Sequence, residues 1–153
     1  MSDSKDSRSQ IPLAISRKKL LGETPIIVNE LVKGCLYSGF FGILDSARMK
    51  GVIDNILAIV NDSDYEYLIV DLSNVDIIDS AIAGGLIKMT RTLQMLGLDV
   101  VYCGIKPIVA QSMISAGIEI GNNIIVKNMR LALIEVLKRK GLKIVSIESH
   151  SNK

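Results

Sequence analysis

The sequence predicts an α/β fold, a parallel or mixed sheet whose strands alternate with helices in the order ββ-α-β-α-β-α-β-α. Three observations predict it. Short runs rich in β-branched residues alternate with longer segments whose apolar residues recur every three or four positions. The chain is 48% hydrophobic with no Trp and only 4% aromatic residues, so its core is built from Ile, Leu, Val and Ala, as in helices packed on a largely parallel sheet. Gly97, Gly117 and Gly141 each follow the last residue of a helical pattern, where a helix commonly stops. The 153 residues suit one domain, and no internal repeat is present.

Residues 1–24 read as a flexible tail, with five Ser, mixed charge and only short apolar pieces. Its Arg17, Lys18 and Lys19 read as a solvated basic run. IIVNELV (26–32) and CLYSGFF (35–41) read as strands joined at Lys33-Gly34, a hairpin or bend. Asp45 or Ser46 then caps a helix to about residue 61, with a stripe of Met49, Val52, Ile53, Ile56, Leu57 and Val60. YLIVDLS (67–73) is continuous enough to be covered on both faces. A helix follows from about Ser80, with Ile82, Leu86, Met89, Leu93 and Leu96 on one face. LDVVYCG (98–104) is another buried strand, and Pro107 opens a helix to about Ala116. A short strand spans 124–126. Asn128 caps a last helix carrying Met129, Leu133, Val136 and Leu137, with Lys138, Arg139 and Lys140 opposing the dipole at its end. Residues 25–141 thus form the domain, and 142–153 a tail with a weak strand pattern.

Composition excludes several functions. A net charge of +2 without an aromatic-basic motif argues against nucleic acid. Cys35 and Cys103 lack CxxC spacing and read as small buried hydrophobes. The one histidine is His150, which leaves neither a zinc set nor a Ser-His-Asp nucleophile. No apolar run reaches a membrane span, and the polar start MSDSKDSRSQ lacks a signal-peptide core, so the expectation is a soluble cytoplasmic protein.

The loop after YLIVDLS holds the one unusual constellation, VDIIDS followed by AIAGGLIKM. Loops leaving the C-terminal strand edges are where such sheets gather function. Ser80 reads in two ways. As an N-cap it accepts a backbone amide and is worth about 1 kcal/mol. If Asp79 takes the cap, Ser80 falls in the first turn with its hydroxyl toward solvent. A phosphate there would meet the positive end of the helix and add about −1.5 to −2 charges. Gly84 and Gly85 lie inside the helix, either for close packing or as a small-residue face for a partner. Neither belongs to a nucleotide-binding glycine motif.

The stretch from Val70 to Ile118 resembles the STAS domains, named for sulfate transporters and anti-sigma factor antagonists. Three patterns carry the resemblance. They are D-L-x-x-V-x-x-I-D-S-x-I-A from Asp71, G-x-x-V-x-x-x-G-I-x-P from Gly97, and A-x-S-x-x-x-x-G-I from Ala110. It covers roughly residues 25–140 and is nearest to the stressosome proteins of the RsbS kind and to the C-terminal domain of the RsbR kind. The resemblance implies a sheet of about four to five strands with about four helices mainly on one face. It implies a non-catalytic scaffold in a large homo- or hetero-oligomer with RsbR-like STAS proteins, holding an RsbT-like serine kinase. The kinase supplies ATP and Mg²⁺, so no cofactor or metal of the chain's own is expected. Ser80 matches the phosphorylated serine, and Ser112 falls near a second phosphorylatable position. Its other reading is an exposed helix serine. Asp76, Asp79, Ser80, Gly84 and Gly85 would face the partner. Twenty-four polar residues form no sensor, which favours the RsbS role over the RsbR role. The tails exceed the minimal RsbS pattern, and the first hairpin is longer. The alternatives are a SpoIIAA-like anti-anti-sigma factor, a ligand-binding STAS module, and an enzyme using Asp71, Asp76 and Asp79 as acid, base or Mg²⁺ ligands.

Overall fold

The computed structural model describes residues 26–42 and 44–147. The tail expected at 1–24 and residues 148–153 lie outside the described residues. Strand β1 (Ile26–Val32) and strand β2 (Cys35–Gly42) pair antiparallel, as the Lys33-Gly34 turn predicts. Gly34 takes φ +81°, a left-handed conformation that favours glycine. Its carbonyl accepts the amides of Glu66 at 2.8 Å and Tyr67 at 3.1 Å, which ties the turn to the next strand. Helix α1 (Ser46–Asn61) crosses to β3 (Tyr67–Val75), and α2 (Ser80–Met95) to β4 (Asp99–Cys103). Helix α3 (Pro107–Ser115) leads to the short β5 (Ile124–Val126), and α4 (Met129–Arg139) is the last regular element among the described residues. The sheet order is β1-β2-β3-β4-β5, with every pair after the first parallel.

Side-chain alternation divides the core. Leu36, Phe40, Leu68, Val70, Leu72, Val100 and Tyr102 point to one face, where α1, α2 and α3 supply Val52, Ile56, Ile82, Leu86, Met89 and Val109. Cys35, Ile69, Val101 and Cys103 point to the other face, against Ala132 and Val136 of α4. Three helices on one side and one on the other fit the expected architecture. Each fully buried aliphatic side chain adds about 1.5–3 kcal/mol of transfer free energy. The buried hydroxyls of Thr90 and Tyr102 lie 2.5 Å apart, and both reach the Leu86 carbonyl at 2.9 and 3.2 Å. This satisfies the polar groups that α2 and β4 carry into the core.

The structure settles one open point of the sequence reading and corrects two details. Asp45 alone caps α1, through the Arg48 amide at 2.9 Å. Strand β3 runs to Val75, two residues beyond the expected end. Leu96 is 56% exposed, because α2 ends at Met95 and the chain turns at Leu96–Gly97. Leu98 takes the buried place instead. Residues 142–147 are neither helix nor strand.

Candidate functional site

The site is built where β3 leaves the sheet. Asp71 is 8% exposed at the middle of β3, where the pairing of β3 with β4 ends. Its Oδ2 accepts the Tyr37 hydroxyl at 2.9 Å, and its Oδ1 accepts the Ser73 amide at 2.9 Å and the Ser73 hydroxyl. A buried carboxylate needs such donors, and here they fix the exit path of the strand. Gly104, at the parallel exit of β4, has φ +71°. A Cβ on it would lie 2.7 Å from Ser73 Oγ and 2.8 Å from both Asp71 Oδ1 and the Ser73 amide nitrogen. Glycine is therefore required twice, by conformation and by space.

Burial sets the proton affinities around this hub. It pushes the Cys103 thiol up to about 12, with the Asp71 charge adding to the shift. It pushes the Tyr37 phenol up to about 12, helped by the hydrogen bond to Asp71. Cys35 rises to about 11, again mainly through burial and against the opposing charge of Lys140. Both thiols stay protonated near neutral pH, which suits core residues and not nucleophiles.

The loop then steps outward. Val75 and Ile78 are buried and anchor it, while Ile77 between them is 67% exposed. Asp76 Oδ1 sits 2.5 Å from Lys106 Nζ, an exposed pair linking the β3–α2 loop to the start of α3. Asp79 is the N-cap of α2. Its backbone is extended, and its Oδ1 accepts the Ile82 amide at 2.8 Å. Ser80 is therefore not the cap. It is the first helical residue, exposed, and no group among the described residues occupies its hydroxyl.

The two glycines play different parts. A Cβ on Gly85 would come 2.9 Å from Met49 Cγ of α1, so this residue lets the two helices approach. Gly84 is exposed, with nothing within 4 Å of such an atom. The exposed surface thus joins Asp76, Asp79, Ser80 and Gly84, and leaves Gly85 to the interior packing. Ser112 is half-buried in α3 and donates to the Ile108 carbonyl at 2.9 Å, so its own helix engages it. Asp71 turns inward, Asp76 binds Lys106 and Asp79 caps. Among the described residues no group of three His, Cys, Asp or Glu side chains could hold a metal. Sequence reasoning passed over Ile77 and Lys106. The pair Ile77-Ile78 held a signal, since a loop crossing the sheet edge buries only one of two adjacent apolar residues.

Family comparison rests on this geometry. A model of the STAS domain matches residues 28–132. The chain belongs to the STAS domain family. Among curated relatives, the RsbT co-antagonist protein RsbRD of Bacillus subtilis (strain 168) is 26% identical over 129 residues, 84% of this chain and 45% of that protein. The chain spans less than half the length of this relative. Among solved structures, a variant of Moorella thermoacetica RsbS superposes with a TM-score of 0.68 at 20% identity, covering 78% of this chain and all of that one. A chain from the molecular architecture of the stressosome gives 0.61 at 22% identity, covering 75% and 98%. This STAS domain has a mixed five-stranded sheet with four helices, and the superpositions show that the fold is shared. Among the described residues no helix is long and apolar enough to cross a membrane.

Proposed function

We propose that this STAS domain is a non-catalytic scaffold of a stressosome-like assembly, in the RsbS role. It holds an RsbT-type serine kinase and releases it when Ser80 is phosphorylated. One observation carries the reading. Ser80 stands exposed at the first position of α2, with its hydroxyl unused, because Asp79 performs the capping. A kinase can take this hydroxyl without breaking an internal contact. The phosphate would then meet free amides and the positive end of the helix. It would also confront Asp76 and Asp79, so the surface becomes strongly acidic while the fold is retained. A partner that docks on Ile77, Ser80 and Gly84 would lose contact through charge and desolvation. The names of the curated relatives, RsbT co-antagonists, support the kinase class. The solved stressosome chain supports co-assembly with other STAS proteins.

A second reading is favoured by one finding. RsbRD and RsbRB, matched at 26% and 28% identity, are co-antagonists of the RsbR type. In that reading the chain is the STAS module of an RsbR-like member of the same shell. The remaining alternative is a SpoIIAA-like antagonist that binds an anti-sigma kinase directly.

The test combines the purified chain with an RsbT-type kinase, ATP and Mg²⁺, maps the phosphopeptide, and compares kinase capture by wild type, Ser80→Ala and Ser80→Asp. The expected result is phosphate on Ser80, capture by wild type and Ser80→Ala, and loss of capture by Ser80→Asp. Equal capture by all three would leave Ser80 without the switching role. A megadalton particle formed with RsbR-like proteins selects the scaffold over the SpoIIAA-like reading.

A further inference from the structure

The outer face of α2 is laid out in two unlike halves. Ser80, Ala81 and Gly84 are exposed in its first half, and all three are small. Lys88 and Arg91 are exposed on the same face, one and two turns beyond Gly84. Among the described residues neither of these cations makes an ion pair, whereas Arg48, Lys106, Arg139 and Lys140 each have an acidic partner. Beside them an open groove of about 530 Å³ runs between α2 and Ile118 of the α3–β5 connection. Met95, 89% exposed, lines it, and Glu119 is the acid on its far wall.

This spacing makes the face complementary to itself. Ser80 and Lys88 lie four residues to either side of Gly84, about 6 Å each way along the axis. Two copies of α2 related by a two-fold axis at Gly84 run antiparallel, and each Ser80 then comes opposite Lys88 of the other copy. Arg91, about 10 Å beyond the crossing, comes opposite the start of the other helix, where Asp79 is the cap. Rows of residues four apart are the ones that interdigitate when helices cross at about −50°. A Cβ built on Gly84 meets nothing within 4 Å, so the crossing point is open to a second backbone. Moving the crossing to Lys88 would set two ammonium groups together, and moving it to Ser80 would set two acidic ends together. Only a crossing at Gly84 pairs unlike with unlike.

We propose that α2 pairs with α2 of a second copy of this chain, antiparallel and crossing at Gly84, and that phosphate on Ser80 locks the pair through Lys88 and Arg91 of the other copy. The pairing needs no kinase, and the locking step rests on the reading of Ser80 as the phosphorylated residue. Helix axes about 8–10 Å apart leave the phosphate within reach of a lysine side chain. Hydrogen bonds between a phosphate and two cations are charge-assisted on both sides, the strongest kind this surface can make. The second copy then covers Ser80 and Gly84, the same residues a kinase would dock on. Kinase release and self-pairing are two sides of one exchange.

The test uses the full-length chain with phosphoserine built in at position 80 during synthesis, so that no kinase is required. Sedimentation equilibrium should show it dimerising at least about ten-fold more tightly than the unmodified chain. Lys88→Glu in the phosphorylated chain should remove that gain. Gly84→Leu should abolish pairing in both forms while its urea midpoint stays at or above that of the wild type, which separates a blocked face from an unfolded domain. Under mild oxidation Gly84→Cys should form a disulfide-linked homodimer, and Met95→Cys, about 16 Å from the crossing, should not. The native Cys35 and Cys103 are buried and do not compete. The proposal is overturned if phosphoserine brings no gain in dimerisation, if Lys88→Glu leaves the gain intact, or if Met95→Cys cross-links as fast as Gly84→Cys. Equal kinase capture by wild type and Ser80→Asp overturns the kinase reading alone, since no kinase enters the sedimentation experiment.

Discussion

Replacing Asp79 with alanine removes the acceptor of the Ile82 amide, a 2.8 Å hydrogen bond that closes the first turn of α2. Losing an N-cap to alanine costs about 1 kcal/mol, and losing a carboxylate beside the positive helix end adds about 0.5 kcal/mol at an exposed site. Asp79→Ala should therefore destabilise the domain by about 1.5 kcal/mol. Asp79→Asn keeps the acceptor and should cost only about 0.5 kcal/mol. Ser80→Ala should be neutral or slightly stabilising, since the hydroxyl makes no bond among the described residues and alanine is the better helix former by about 0.5 kcal/mol. For a chain of this size, about 1.5 kcal/mol is a fall of about 3–6 °C in Tm. Urea unfolding followed by far-ultraviolet circular dichroism measures all three variants, with an unchanged slope as the check that only stability moved. If Ser80→Ala loses as much as Asp79→Ala, the capping assignment is wrong and the serine hydroxyl is not free for modification.

Other outcomes follow from the same geometry. Gly104→Ala should cost at least about 2 kcal/mol, from its positive φ and from the contact with Asp71 and Ser73, measured by the same urea titration. Gly84→Ala and Gly85→Ala should move the urea midpoint in opposite directions. The first should gain about 0.5–1 kcal/mol by stiffening an exposed helix position, and the second should lose about 1–3 kcal/mol against Met49. Stability should also fall in alkali. Cys35, Cys103 and Tyr37 hold their protons in the folded chain to about 11, 12 and 12, against 9.0 for a free thiol and 10.0 for a free phenol. The unfolded chain then binds fewer protons above pH 9, so unfolding becomes easier from there to about pH 12. A flat stability profile between pH 8 and 11 would contradict this, as would thiols that react with a disulfide reagent equally fast with and without urea.

Element order was legible because the periodicities of two and 3.6 are written plainly in runs such as YLIVDLS and in the stripe from Ile82 to Leu93. The STAS motif was legible for the same reason, since its spacing ties a strand, a loop and a helix start. Three things were not. Whether Asp79 or Ser80 caps α2 depends on one residue of backbone phase, and both side chains are good caps. The stripe through Leu96 failed because periodicity carries no record of where the helix stops. The bond from Tyr37 to Asp71 joins residues 34 apart, and only the parallel pairing of β2 with β3 brings them together. The separate duties of Gly84 and Gly85 also needed the partner helix. Nothing in the local sequence says that Met49 stands opposite one and solvent opposite the other.

The sheet order β1-β2-β3-β4-β5 is also the order in which the ribosome releases the strands. Each new strand docks on the free edge left by the one before it, and none must be inserted between two strands already paired. A nascent chain can therefore assemble this sheet progressively, at the pace of synthesis, without undoing earlier hydrogen bonds. The side that carries Cys35, Ile69, Val101 and Cys103 gains its helical cover only when α4 emerges. Until then this apolar surface is open to neighbours and to chaperones. A pause in translation before residue 129 leaves the protein at its stickiest, and the final helix ends that exposure.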